Sequence, residues 1–322
     1  MGIFGSIRLK MSNDKIVTTK IAGDILGYRD FALCKISSIK VNGPLCNKDV
    51  VRLVDVCKQY KKLTMIDLKE TSGLLEIKDN TFHGCDCLQT IILPNSIIRI
   101  GESAFESCRS LTNIQLPDSL LTIGKSAFYG CSSLKKIHIP LNVKHIGGWA
   151  FVCDNLSIIE VDDNNKSFTA QNGILYSADG KNLIKYPTHT DNPDFSIPAK
   201  VERITDAAFW GSDVKRIVFP ESIKTIGDNA FIYSQLENLD LPLGTCSIGK
   251  LAFSHCAELL SVKIPRSVNY IGERAFTECH KLTNVTVANG VTGIGDNAFA
   301  NCHNLKEVNL PDSAYVRHEN SD

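Results

Sequence analysis

The side chains with the most chemical potential in this 322-residue sequence are its twelve cysteines. Three of them adjoin a histidine, as His255-Cys256, Cys279-His280 and Cys302-His303. Thiolate with imidazole is a donor set for zinc, and it is also the pair used in nucleophilic cysteine catalysis. Spacing argues against both uses. Adjacent residues point in different directions and no C-x2-C or H-x3-H run occurs, so a tetrahedral site would need ligands from three separate segments. Nothing marks one thiol as exposed in an electropositive setting. The sequence therefore leads us to expect no metal site, no cofactor and no catalytic residue.

Six cysteines, Cys85, Cys108, Cys131, Cys256, Cys279 and Cys302, each stand three residues after a phenylalanine, and Ser212 and Ser234 take the same place twice. A slot that accepts Cys or Ser wants a small side chain, and a buried free thiol behaves as one. These six form the expected structural core column. Disulfides between neighbours in the column are not excluded by distance, but parallel Cβ directions suit the required dihedral poorly. Cys85 and Cys87 are expected to face opposite sides. Cys34, Cys46, Cys57, Cys153 and Cys246 lie outside the column, and no pairing among them is legible from spacing.

What positions the column is a repeat. Phenylalanines recur at Phe82, Phe105, Phe128, Phe151, Phe209, Phe231, Phe253, Phe276 and Phe299, at intervals of 22 or 23 residues broken once by 58. One unit, 111–133, reads LxxIxLPxSxxxIGxxAFxxCxx. Ile114 and Leu116 alternate inward as a short strand, Pro117 ends it by removing a ladder donor, and Ser119 supplies turn chemistry. Ile123 returns the chain to the core, Gly124 is expected to permit a tight or left-handed bend, and Ala127-Phe128 insert a small residue and an aromatic wedge. One coil cannot bury its own apolar edge. Coils stacked about 4.8 Å apart can, which predicts a parallel solenoid, right-handed and poor in helix, of about ten coils.

Residues 1–62 are expected to cap this array, and 63–322 to carry it. Within the cap, 36–41 fits the strand pattern. The stretch 47–59 has apolar residues at Val50, Val51, Val54 and Cys57, with Asn47 as candidate N-cap, and reads as an amphipathic helix. The 58-residue interval predicts an insertion over about 162–196. There, 173–177 and 182–186 flank Asp179-Gly180 as a β-hairpin.

The repeat unit resembles the BspA-type leucine-rich repeat, over residues 63–310. That resemblance implies a solenoid displayed to the outside and engaged in binding, at a cell surface or secreted. No export signal is recognisable at the N-terminus, although Gly2 and Ser6 fit the short myristoylation pattern.

Charge narrows the partner. Lys plus Arg and Asp plus Glu are both 35, with no basic tract, which argues against nucleic acid. No run approaches the 18 apolar residues of a membrane span. The outward strand columns hold no aromatic, which disfavours a stacked sugar platform there. Their one local bias is positive, from Lys135, Lys136 and His138 to Lys215 and Arg216. With Tyr176 and Tyr186 of the hairpin, these are the candidate partner-binding residues, since Tyr and Arg dominate protein hot spots. The expected function is a non-catalytic protein-binding or adhesion module; the alternative is a structural spacer or assembly segment of a larger surface protein.

Overall fold

The computed structural model describes residues 14–18, 36–190, 192–306, 308–309 and 315–317. Its contacts divide the chain into two compact units, Met1–Ser167 and Phe168–Asp322. Each is a stack of parallel β-coils.

The first unit comprises β1 (Asp14–Thr18), β2 (Ser38–Pro44), α1 (Asn47–Tyr60), β3 (Met65–Asp67), β4 (Thr71–Ser72), β5 (Glu76–Ile77), β6 (Thr90–Ile92), β7 (Arg99–Ile100), β8 (Asn113–Gln115), β9 (Thr122–Ile123), β10 (Lys136–Ile139), β11 (His145–Ile146) and β12 (Ile158–Val161). Each coil contributes one strand from its LxxIxL segment and another from its IG segment. The first kind builds the parallel ladder β1-β2-β3-β6-β8 and the separate pair β10-β12; the second builds β5-β7-β9-β11. The strands of the expected cap thus belong to the same ladder as the repeat strands β3, β6 and β8. The helix lies at residues 47–60 as its period predicts, with two local differences. Cys46 is the N-cap, its amide donating to Asp49 Oδ2 at 2.9 Å, and Leu53 rather than Val51 faces the core, Val51 being 55% exposed. The buried set Val50, Leu53, Val54 and Cys57 follows the i, i+3, i+4, i+7 stripe of a half-buried helix.

The second unit holds β13 (Phe168–Gln171), β14 (Ile174–Ser177), β15 (Asn182–Lys185), β16 (Asp194–Ser196), β17 (Arg203–Ile204), β18 (Arg216–Val218), β19 (Thr225–Ile226), β20 (Asn238–Asp240), β21 (Ser247–Ile248), β22 (Ser261–Ile264), β23 (Tyr270–Ile271), β24 (Asn284–Val287), β25 (Gly293–Gly295), β26 (Val308–Asn309) and β27 (Tyr315–Arg317). Its IG-type strands run in parallel as β15-β17-β19-β21-β23-β25-β27, and the antiparallel strands β14 and then β13 extend that ladder at its β15 edge. The LxxIxL-type strands form β16-β18 and β20-β22-β24-β26.

The hairpin β14-β15 forms as expected, with Asp179 Oδ1 accepting from Ser177 Oγ and from the Lys181 amide at its turn. It is not a simple insertion, however. Strand β15 pairs in parallel with β17, and the Tyr186 amide donates to Ala208 O just as the Phe209 amide donates to Ala230 O. Tyr186 therefore occupies a phenylalanine position, 23 residues before Phe209 and 35 after Phe151. The 58-residue interval contains a whole degenerate coil, and only about a dozen residues are extra.

Phenylalanine rings fill the centre of each unit. Phe82, Phe105, Phe128 and Phe151 stack at 5.1, 5.4 and 5.9 Å between centroids. Tyr186, Phe209, Phe231, Phe253, Phe276 and Phe299 do the same at 4.5–5.2 Å. Each fully buried ring contributes about 1.5–3 kcal/mol from apolar burial.

The glycine of each IG pair has a different role from the one its sequence suggests. Gly124 does not adopt a left-handed φ. A Cβ there would lie 2.5 Å from the backbone carbon of Gly101 in the preceding coil, so the absence of a side chain sets how closely coils stack. The left-handed position falls two residues before the phenylalanine instead, at Ser103, Ser126, Asn229 and Asn297 among others.

Candidate functional site

On the LxxIxL face, Lys135, Lys136, His138, Lys215 and Arg216 are all exposed, as the alternation of the strands requires. The positive bias read from sequence is nevertheless largely cancelled. Lys136 Nζ lies 2.6 Å from Glu160 Oε1, with His138 Nδ1 3.9 Å from the same carboxylate. Arg216 reaches Asp194 at 2.8 Å and Lys215 reaches Glu237 at 3.8 Å. Parallel strands in register bring residues one coil apart side by side, and that distance is invisible along the chain. These pairs are solvent-exposed, so each is worth about 0–1 kcal/mol.

The same residues flank breaks in the strand ladders. In the first unit the ladder stops between β8 and β10. A shallow groove of about 410 Å³ lies here, lined by Ile92, Asn113, Gln115, Asp118 and His138. In the second unit the corresponding break falls between β18, which carries Arg216, and β20.

The hairpin tyrosines require correction. As candidate partner-binding residues they would have to be displayed, but Tyr176 is 4% and Tyr186 3% exposed. The Tyr186 ring packs at 4.7 Å on Phe209 and at 4.9 Å on Phe195, because Tyr186 is the first ring of the second stack. Burial raises Tyr176 to about 12 and also raises Tyr186. Neither ring is displayed to a partner.

The cysteine column is buried, and its thiols are more than space-fillers. Cys108 Sγ donates to Phe82 O at 3.0 Å, Cys131 to Phe105 O at 3.1 Å, Cys279 to Phe253 O at 3.2 Å and Cys302 to Phe276 O at 3.1 Å. The carbonyls of Phe82, Phe105 and Phe253 also accept the amide of their own coil's cysteine. Cys153 joins this column, its Sγ donating to Phe128 O at 3.0 Å; a one-residue deletion after Phe151 hid it from the spacing. Desolvation pushes Cys108 and Cys256 up to about 12, which is the opposite of what a nucleophilic thiol needs. The histidines next to the column point outward. His280 is exposed and stacks on His303 at 5.4 Å, while Cys279 is fully buried. Among the described residues no group of three His, Cys, Asp or Glu side chains is placed to hold a metal ion.

A further surface lies on the other ladder. Leu75, Ile98 and Leu121 immediately precede β5, β7 and β9 and are 58, 43 and 36% exposed. They are in register, since the Ile98 amide donates to Leu75 O and the Leu121 amide to Ile98 O. The result is a column of three large apolar side chains about 4.8 Å apart. Its neighbour along β5 and β7 is polar, with Arg99 held by Glu76 at 3.2 Å and Asp79 at 2.6 Å. In the second unit the equivalent column is Glu202, Lys224, Cys246, Asn269 and Thr292. The signal for this apolar stripe in the sequence is the residue two before the isoleucine of each IG segment, followed down the array.

Solved structures share the fold. A leucine-rich cell surface protein of Faecalibacterium prausnitzii A2-165 is 24% identical and superposes with a TM-score of 0.71, over 98% of this chain and 93% of its own. A leucine-rich repeat protein of Eubacterium ventriosum gives 22%, 0.66, 95% and 88%, and the pneumococcal vaccine antigen PcpA 24%, 0.64, 88% and 75%. No curated protein matches the sequence significantly. The model of the BspA-type leucine-rich repeat region matches six copies over residues 55–173 and 188–306, and the chain belongs to that family.

Proposed function

We propose that this chain is a non-catalytic protein-binding module that acts at a cell surface, and that its partner docks on the column Leu75, Ile98 and Leu121. The observation that carries the reading is that column itself. Scattered exposed leucines are normal, but three in register with a charged border have the anatomy of a protein interface, apolar at the centre and polar at the rim. Buried, hydrogen-bonded thiols with raised proton affinity support the absence of cysteine catalysis. The surface assignment is supported by the description of the F. prausnitzii relative as a cell surface protein.

The test is saturation binding of labelled protein to a panel of cell surfaces, before and after protease treatment of those surfaces. Saturable binding that protease abolishes, and that the triple variant L75S/I98S/L121S loses by at least tenfold, is expected. Binding that survives protease, or that the triple variant retains in full, overturns the reading.

A further inference from the structure

Cys57 lies in the last turns of α1, and Cys87 follows the first repeat phenylalanine, Phe82, by five residues. Their sulfurs are 3.2 Å apart. Cys57 is fully buried, whereas Cys87 is only partly buried. Cys87 Sγ also lies 3.3 Å from Cys57 O and 3.4 Å from Leu63 O, so it is held against the end of the helix. In the coils that follow, the position two after the column cysteine is Ser110, Ser133, Asn155, Glu258, Lys281 or Asn304. A cysteine stands there only in the coil that abuts α1.

We infer that Cys57 and Cys87 are a disulfide-forming pair that crosslinks α1 to the first coil when the protein meets a small disulfide oxidant. Forming the bond brings the two sulfurs about 1.2 Å closer, from contact to bonding distance. Reaction begins at the accessible thiol. The Cys87 thiolate attacks one sulfur of the oxidant, whose S–S bond breaks and releases one thiolate, leaving a mixed disulfide on Cys87. Cys57 then attacks the Cys87 sulfur, the mixed bond breaks and a second thiolate leaves. The oxidant gains the two electrons that the cysteines lose, and the two cysteine protons end on the two released thiols.

The neighbouring Cys85 thiol, together with burial, pushes Cys57 up to about 12, and contact with Cys57 raises Cys87 as well. Exchange at neutral pH is therefore slow, because the thiolate is the reacting species. Cys85 is the competing thiol, but it is fully buried in the repeat column.

The experiment is incubation of the reduced full chain with oxidised glutathione at pH 8.5 over hours, followed by alkylation under denaturing conditions and peptide mapping without reduction. The expected product has two fewer alkylatable thiols and a crosslink between residues 53–58 and 79–99, which fragmentation at Asp86 assigns to Cys87. The linked peptide from the unaltered protein reads the pair without any variant. Cys85→Ser should keep the crosslink and Cys87→Ser should remove it. In the oxidised chain the amides of α1 should exchange at least tenfold more slowly. A crosslink through Cys85, a stable mixed disulfide on Cys87, or an unchanged thiol count would overturn the inference.

Discussion

The two units are built from the same 23-residue grammar and differ in what they do with the positions the core leaves free. In the first, the residues preceding β5, β7 and β9 are Leu75, Ile98 and Leu121, an exposed apolar column that Lys144 ends ahead of β11. In the second, the same column carries Glu202 and Lys224, and Glu202 is flanked by Lys181 at 2.8 Å and Lys224 at 2.6 Å. The cores differ too. Every small-residue slot of the first unit holds a cysteine, whereas the second unit places Ser212 and Ser234 ahead of Cys256, Cys279 and Cys302, and Ser212 Oγ has no hydrogen-bond partner. The comparison teaches that the fold is specified by a few residues per coil, Leu, Ile, Gly and Phe, while display and fine packing are set coil by coil.

The comparison breaks most severely at the rings. Phe105→Ala in the first unit and Phe231→Ala in the second should each cost about 3–5 kcal/mol in denaturant unfolding. Tyr186→Ala should fall in the same range, with Tyr186→Phe within about 1 kcal/mol, if Tyr186 is the first member of the second stack. A small effect of Tyr186→Ala would remove that equivalence. Next comes Gly124→Ala, which forces a Cβ into the Gly101 backbone and should destabilise by about 1–3 kcal/mol.

The small-residue slot should respond with opposite signs where it holds a bonded thiol and where it holds the unsatisfied hydroxyl of Ser212. Cys131→Ala loses a buried thiol and its bond to Phe105 O and should cost about 1 kcal/mol; Ser212→Ala removes an unsatisfied buried hydroxyl and should stabilise by about the same amount. Two losses of equal size would show that the slots are equivalent after all.

The smallest effect is electrostatic. The two lysines lower Glu202 from 4.5 to about 2. A carboxylate held below its unfolded value adds stability above about pH 4.5 and loses it as pH falls through about 2. Glu202→Gln should flatten the melting temperature against pH within that window, by a small amount because the pair is exposed.

Most of the fold was legible because the repeat announces itself. Phenylalanine spacing, the alternation of LxxIxL and the proline stop each have one physical reading, and together they place strands, turns and core. What escaped was whatever depends on a neighbour one coil away. Tyr186 was read as a hairpin aromatic because it lacks the Ala-Phe pair; its position becomes clear only from β15 pairing with β17. Lys136 looked like part of a basic patch because Glu160, its partner, lies 24 residues on. Cys153 fell out of its column through a single deleted residue, and the Cys57–Cys87 contact spans 30 residues of cap and coil. Gly124 was assigned conformational freedom when its role is close approach, a distinction that spacing alone does not carry.

A protein that docks on the first unit's apolar column, and not on the equivalent column of the second, must shield the backbone on either side of Leu75, Ile98 and Leu121. Hydrogen exchange of the chain with and without its surface-derived protein partner tests this most directly. Slowed exchange over residues 74–77, 97–100 and 120–123 and unchanged rates over 201–204 and 223–226 are expected. Protection confined to the second unit, or to the strand β10 that carries His138, would contradict docking on the apolar column.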